Sequence, residues 1–350
     1  MSGSPFAVRA ALLAACVSFT GCNHATAPPK VRVALVADAG GFADRSFNEA
    51  ASNGLAECAT ATGVEVTTAA PATAADYETQ LTLLATQDFD TVIAVGDGMA
   101  GDLTKVARHF EGTHFAILGS IVDAPNVESI TFREQDGSFL AGALAALVTH
   151  TKKVAFLGGT DGARLAAAES GFTAGARQID PNVRVVRAFA GSFDDAPRAR
   201  AAARALYAGG ADVIYVVAGA AGLGAIAAAK ETHAGYAIGV DNDQDALAPG
   251  KVLTSVVKHV DRAAARVCLE AMSQKPTSGR VDLGLAEGGV GLTPFKYTRG
   301  LIGAANIARV ARLENAIVAG AITPPATPAE LASFTPVQLS ALPVRVHEPR

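Results

Sequence analysis

Charge, cysteine, long apolar runs and catalytic signatures are all scarce in this chain, and each scarcity excludes something. Only 18% of its 350 residues are charged against 50% hydrophobic, so it is not a disordered chain; it can bury a large core, and its length suits two domains. The formal net charge is −4, and no basic footprint marks it, so no nucleic-acid partner is expected. Of the four cysteines, at positions 16, 22, 58 and 268, the first two lie in the N-terminal stretch, and the single distant pair that is left does not make a disulfide scaffold. No stretch reaches the roughly 18 consecutive apolar residues that a membrane span requires. There is no G-x-S-x-G, no G-x-x-x-x-G-K-[ST] and no H-E-x-x-H, and the seven histidines are scattered without a cysteine at metal spacing. Neither a metal nor a cofactor is expected.

What is present begins with an export signal. Residues 1–22, MSGSPFAVRAALLAACVSFTGC, place one Arg before an apolar run and small residues before a Cys. FTGC at 19–22 resembles the lipobox of bacterial lipoproteins, which implies cleavage before Cys22 and a lipid upon it; LAAC at 13–16 is a competing match that would leave a very short apolar region. Processing removes a single charged residue, Arg9, and moves the formal charge from −4 to −5. NHATAPPK at 23–30 then reads as a tether, so the mature protein is expected to be anchored by lipid to the cell membrane, facing the periplasm or the exterior. Cys58 continues the helical stripe Phe47, Ala51, Leu55, and reads as a buried apolar residue.

From Val31 onward, short Val- and Ile-rich runs alternate with amphipathic stretches: VRVALVAD, DTVIAVGD, HFAILGS, VESITF, KKVAFLGG, VRVVRAF, ADVIYVVAG, YAIGVD and VLTSVVK. This alternation predicts parallel α/β sheets. Ser46 and Glu49 stand at capping-box spacing ahead of a helix to about Thr62, and Tyr77, Leu81, Leu84 and Ala85 mark another. About four strand and helix units precede Phe132 and a similar set follows Lys152, the duplicated plan of two lobes. The expected N-terminal lobe is 31–131 plus 259–280 and the C-terminal lobe 132–258 plus 281–323, with crossings near Phe132, Lys258 and Gly288. The Pro-rich stretch 324–350 reads as a wrapping or loosely held tail.

Two separated segments, VALVADAGGFADRSFNE at 33–49 and AIGVDNDQ at 237–244, each follow an apolar strand and end in carboxylates and amides, the first with an aromatic among them. Such rims present polar groups to a ligand in a cleft. The first rim resembles the signature of the basic membrane protein family, lipoproteins that bind purine nucleosides for an ATP-driven importer. Further similarity follows in order through FREQDGSFLAGALAAL, VAFLGG, ESGFTAGA, GSFDD, GADVIYVVAGAAGLG, AIGVDNDQ, VLTSVVKHVD and GGVGL, spanning most of residues 31–292. The resemblance implies a type I periplasmic binding protein fold, two Rossmann-like lobes joined by a hinge, with the nucleoside between them. It implies Asp38 at the first strand end, Phe47 stacked on the base with Ser46 and Asn48 beside it, and Phe193 of GSFDD as the second ring. It also implies Asp241 as the ribose-binding acid and Lys258 as its neighbouring base. Asp102 corresponds to the aspartate of a GFxxAD element that here reads GDGMAGDL and lacks the aromatic.

Elementary chemistry supports these roles. Two stacked rings contribute about 2–6 kcal/mol, whereas micromolar binding needs about 8, so polar contacts must supply the rest. Ribose hydroxyls donate, a carboxylate accepts more than one such bond, and Lys258 can neutralise Asp241. Each position also has a structural alternative: Phe47 as core, Phe193 as packing under a loop, Ser46 as an N-cap, Asp241 in a turn-like DND, Lys258 as a solvated charge. GDGMAG at 96–101 imitates a dinucleotide fingerprint, but no acid ends the next strand. GAAGLG at 219–224 marks close backbone approach to a ligand at Gly219, or tight packing. A nucleoside hydrolase would need a dense carboxylate cluster on one strand end, where only Asp38 stands. The expectation is therefore a non-enzymatic, monomeric solute-binding lipoprotein that passes a purine nucleoside to an ABC permease and its ATPase. A sugar or signal-molecule receptor of the same fold, and a sensory nucleoside-binding protein, are the alternatives.

Overall fold

The computed structural model describes residue 1 and residues 30–38, 41–42 and 47–338. Cys22 and most of the expected leader and tether, Ser46, and the last residues of the tail lie outside the described residues. From Val31 onward the chain forms one compact unit built around two six-stranded sheets.

The first sheet contains β1 (Arg32–Val36), β2 (Glu65–Ala69), β3 (Thr91–Val95), β4 (His114–Leu118), β5 (Val127–Phe132) and β11 (Gly279–Leu283), in the order β11-β5-β4-β3-β1-β2. The second contains β6 (Lys153–Gly158), β7 (Arg184–Phe189), β8 (Val213–Val217), β9 (Tyr236–Asp241), β10 (Val252–Lys258) and β12 (Val290–Leu292), in the order β12-β10-β9-β8-β6-β7. The two orders correspond strand for strand, which is the duplication expected from sequence. All pairings are parallel except β10 with β12. Central strands such as TVIAV and VIYVV are buried throughout, because helices cover both faces of each sheet.

In the first lobe α1 (Phe47–Thr62), α2 (Tyr77–Ala85), α3 (Ala100–His109) and α8 (Val260–Met272) flank the sheet. In the second, α4 (Glu134–Val148), α5 (Ala166–Ile179), α6 (Ala196–Ala208), α7 (Gly222–Glu231) and α10 (Ala304–Val318) do so, with the short α9 (Arg299–Ile302) leading into α10. The chain crosses between lobes after Phe132, after Lys258, and between Leu283 and Val290. The third crossing corrects an expected boundary: residues 281–283 pair with β5 and belong to the first lobe, because Val281 and Leu283 pack on its core.

A second correction concerns the cysteines. Cys58 on α1 and Cys268 on α8 form a disulfide across 210 residues. Parallel approach of the two helices brings together residues whose separation in sequence conceals the pairing. The tail is held rather than loose as far as it is described: α11 (Pro328–Ser333) is capped by Thr327, Phe334 meets Phe139 edge-on at 5.8 Å, and Val337 makes paired bonds with Gln178. Among the described residues no helix is long and apolar enough to cross a membrane, and no cluster of three or more His, Cys, Asp or Glu could hold a metal ion.

Candidate functional site

Ligands of open α/β sheets bind at the carboxyl ends of strands, where the strand order reverses. In the first sheet the reversal lies between β1 and β3. Asp38 follows β1 there, and a Cβ on Gly96, just past β3, would come within 3.1 Å of the Asp38 carboxylate. Buried Asn48, in the first turn of α1, accepts the Asp38 backbone N–H through Oδ1 at 3.0 Å. Phe47, its neighbour, is part-buried with its ring above Gly119 at the end of β4, and it meets Phe132 edge-on at 5.8 Å. Gly119 has φ +91 and a Cβ there would stand 2.9 Å from the Phe47 ring, so glycine is what lets the ring lie on the strand end.

The second sheet repeats the arrangement. Its reversal lies between β6 and β8, and Phe193 occupies it, packed over Gly159 after β6, where any Cβ would overlap the ring. The Phe193 carbonyl accepts from Ala221 N–H at 2.8 Å, and Gly219, at φ +55, lies against the same residue. Asp241 ends β9 with φ 68, a left-handed conformation uncommon for a residue with a side chain.

Lys258, at the end of β10, joins these elements. Its Nζ lies 2.8 Å from Asp241 Oδ1 and 2.9 Å from Glu134 Oε1, and 5.4 Å from the centre of the Phe47 ring. Burial alone would lower the lysine's proton affinity, but the two carboxylates outweigh it and hold the ammonium well above the usual lysine range. Lys258 is thus a permanent cation, and Asp241 keeps spare lone pairs for other donors. Asp241 and Lys258 line a cavity of about 370 Å³ together with Glu49, Asn53, Asn242 and His259, a size within the roughly 300–1,000 Å³ of small-molecule sites.

Of the residues singled out from sequence, Asp38, Phe47 and Asn48 gather at the strand ends of the first sheet, Lys258 links Asp241 to the Phe47 ring, and Phe193 with Gly219 stands at the strand ends of the second sheet. Asp102 stands in the first turn of α3, where it pairs at 2.8 Å with Lys105, itself bound to Glu78 of α2. Glu134 was not anticipated. Its signal is the charged cluster REQD at the head of an otherwise apolar helix, directly after the first crossing.

Residues 30–323 match the profile of the Bmp family, described as ABC transporter substrate-binding protein PnrA-like. The CD4+ T-cell-stimulating antigen of Listeria monocytogenes is 33% identical over 318 residues, covering 85% of this chain and 88% of its own. The ABC transporter nucleoside-binding protein BmpA of Lactococcus lactis subsp. cremoris is 30% identical over 348 residues, 91% of this chain and 98% of its own. A solved solute-binding protein of an ABC transporter system from Aeropyrum pernix superposes with a TM-score of 0.75 at 25% identity, over 87% of this chain and 96% of that one. The arabinose-binding protein AraP of Geobacillus stearothermophilus, at 14% identity and a TM-score of 0.64 over 76% of this chain and 97% of its own, shares the fold alone. The architecture is the type I periplasmic binding protein fold, and the family is one of solute-binding proteins rather than an enzyme class. By profile, by relatives and by fold, the chain belongs to the Bmp family of PnrA-like ABC transporter substrate-binding proteins.

Proposed function

We propose that this protein captures a purine nucleoside between its lobes, outside the cell membrane, and delivers it to an ABC permease. One observation carries the reading: Lys258 is pinned by Asp241 and Glu134 beneath the ring of Phe47. An aromatic face and a hydroxyl-accepting carboxylate thereby stand side by side, the pairing that a heterocycle joined to a sugar requires. A base stacked on Phe47 directs its ribose to Asp241, while Phe193 closes on its second face from the opposite rim. Asp38 and Asn48, with Ser46 beside them, take the base's polar edge or nearby ribose, and the Gly219 backbone allows close approach. Asp102 joins only by exchanging its Lys105 partner. The name of the Lactococcus relative supports a nucleoside ligand, and the Cys58–Cys268 disulfide suits an oxidising compartment outside the cytosol. Lipid on Cys22 would anchor the protein there, working as a monomer, with no reaction catalysed.

Titration calorimetry against adenosine, guanosine, inosine, cytidine, ribose and a hexose tests this, with purine nucleosides expected to bind and free sugars not. Binding of free sugars alone would refute the nucleoside reading, and release of hypoxanthine from inosine would refute the non-enzymatic one. Phe47→Ala and Asp241→Ala should each weaken nucleoside binding by more than about 1 kcal/mol, with little change in the thermal midpoint of the unliganded protein. Unaltered affinity in both removes the site.

A further inference from the structure

The backbone at Asp241 would not hold its conformation unaided. The Asn242 N–H donates to the Val240 carbonyl at 2.9 Å around a central residue at φ 68, a γ-turn with positive φ, which is rare and strained outside glycine. Strain of this kind persists only where the surroundings over-determine it. Here they do so through buried polar groups that no expected ligand contact uses.

Four residues beyond Asp241, the Asp245 carboxylate is buried in the second lobe. It accepts from the Ser255 hydroxyl at 3.1 Å and from the Thr293 hydroxyl at 3.0 Å. Ser255 Oγ in turn accepts the Gln244 N–H at 3.0 Å, and Thr293 Oγ1 accepts the Ser255 N–H at 2.8 Å. Gln244 folds back so that its Oε1 accepts the Val240 N–H at 3.2 Å. That return passes over Gly239, where a Cβ would stand 2.5 Å from Gln244 Oε1 and 2.7 Å from Ser255 Oγ. The Asp245 end of the loop is therefore tied to Ser255 of β10 and to Thr293, just past the third crossing, and the Asp241 end is tied back to Gln244 through the Val240 N–H. Both hydroxyls reach the one carboxylate, and Thr293 Oγ1 also shares a hydrogen bond with the Thr254 hydroxyl at 2.9 Å, so loss of either hydroxyl leaves a buried acceptor short of a partner.

We infer that Asp245, Ser255 and Thr293 are positioning residues that fix Asp241 for the vicinal hydroxyls of a ribose, and so set the preference for ribonucleosides over their dideoxy counterparts. The inference rests on the nucleoside reading above. None of the three touches the ligand; they act through the Gln244 return and the turn at Asp241.

The test compares adenosine with 2′,3′-dideoxyadenosine by titration calorimetry on the intact protein. Unaltered protein binds adenosine more tightly. In Thr293→Val adenosine weakens about tenfold while the dideoxy compound scarcely moves, so the ratio of affinities collapses; Thr293→Ser, which keeps the hydroxyl, retains it. Ser255→Ala serves as a second variant should Thr293→Val not fold, and is expected to lower the same ratio. A ratio left intact in folded Thr293→Val or Ser255→Ala overturns the inference, as does a ratio near one in unaltered protein that binds both compounds. Failure of unaltered protein to bind any nucleoside instead overturns the ligand reading, and the inference with it.

Discussion

At the scale of single residues, the least expected group is Glu128. It sits fully buried on β5, 3.0 Å from the guanidinium of Arg266, which is shared with Glu270 of the same helix at 2.8 Å. One cation serving two acids offsets burial only in part. Burial, reinforced by the Glu270 carboxylate and resisted by Arg266, pushes the Glu128 carboxyl up to about 7 from an ordinary 4.5. A raised carboxyl means that the native state holds a proton the unfolded chain has released, so its contribution to stability falls as pH climbs from about 4.5 to about 7 and stays lost above. Nearby His114, whose affinity for protons burial depresses, drives stability the other way but acts in wild type and variant alike. Glu128→Gln should therefore match wild type near pH 5 and exceed it by about 1–3 kcal/mol near pH 8 in urea unfolding. A wild type that stays the more stable at pH 8 means that pairing with Arg266 outweighs burial. Residues of this kind are opaque in sequence, because a lone Glu in VESITF carries no mark of the helix that covers it. Phe47, Asp241 and Lys258 are legible because each sits at the end of an apolar strand or the start of a helix, where local pattern alone places it on a rim.

At the scale of elements, the helices pack more closely than their alternating pattern reveals. On α1, Gly54 lies so close to the Asp261 carbonyl of α8 that no Cβ fits; Gly175 of α5 does the same against Phe139 of α4, and Gly224 of α7 against Ala196 of α6. Each pair buries a backbone-to-backbone contact that only glycine permits. In the first lobe the contact is reinforced covalently, since Cys58 lies one turn beyond Gly54 and bonds Cys268. The closed loop spans 210 residues, for which chain entropy alone gives an upper bound of about 5 kcal/mol, with about 2–4 typical. Replacing both cysteines with alanine should lower the unfolding free energy of that lobe by the typical amount, read from denaturant curves of oxidised and reduced protein beside the variant. Coincident curves show that the bond contributes nothing. The strands that escaped a reading from sequence are edges: EVTTA of β2 and GRVDL of β11 are half exposed and polar, and β12 has three residues. A strand with one open side needs no apolar run, so neither hydrophobic content nor period marks it. The prolines of the tail left wrapping and looseness both open, and as far as the tail is described it wraps, with Leu331, Phe334 and Val337 packed on the second core.

At the scale of the whole molecule, the two ring-bearing rims belong to different sheets, and three chain crossings join the lobes. Phe47 stands on the first rim and Phe193 on the second, each seated on a strand-end glycine that fixes its height above the sheet. A flat base stacked on both rings requires them about 7 Å apart, twice the van der Waals separation of carbon atoms. Spacing at the rims is thus a property of lobe orientation rather than of either lobe, and the crossings after Phe132 and Lys258 are where that orientation is set. Both carry site residues: Phe132 braces Phe47, and Lys258 reaches from the second lobe to the Phe47 ring. A ligand that makes contacts on both rims binds the closed arrangement better than the open one, and the equilibrium moves by that difference. Small-angle scattering with saturating adenosine should therefore show a smaller radius of gyration than scattering without it, and Phe193→Ala, which removes one of the two faces, should weaken binding and require more ligand for the same contraction. Identical scattering curves with and without bound adenosine would place the ligand on a single rim, and the sandwich between Phe47 and Phe193 would have to be abandoned.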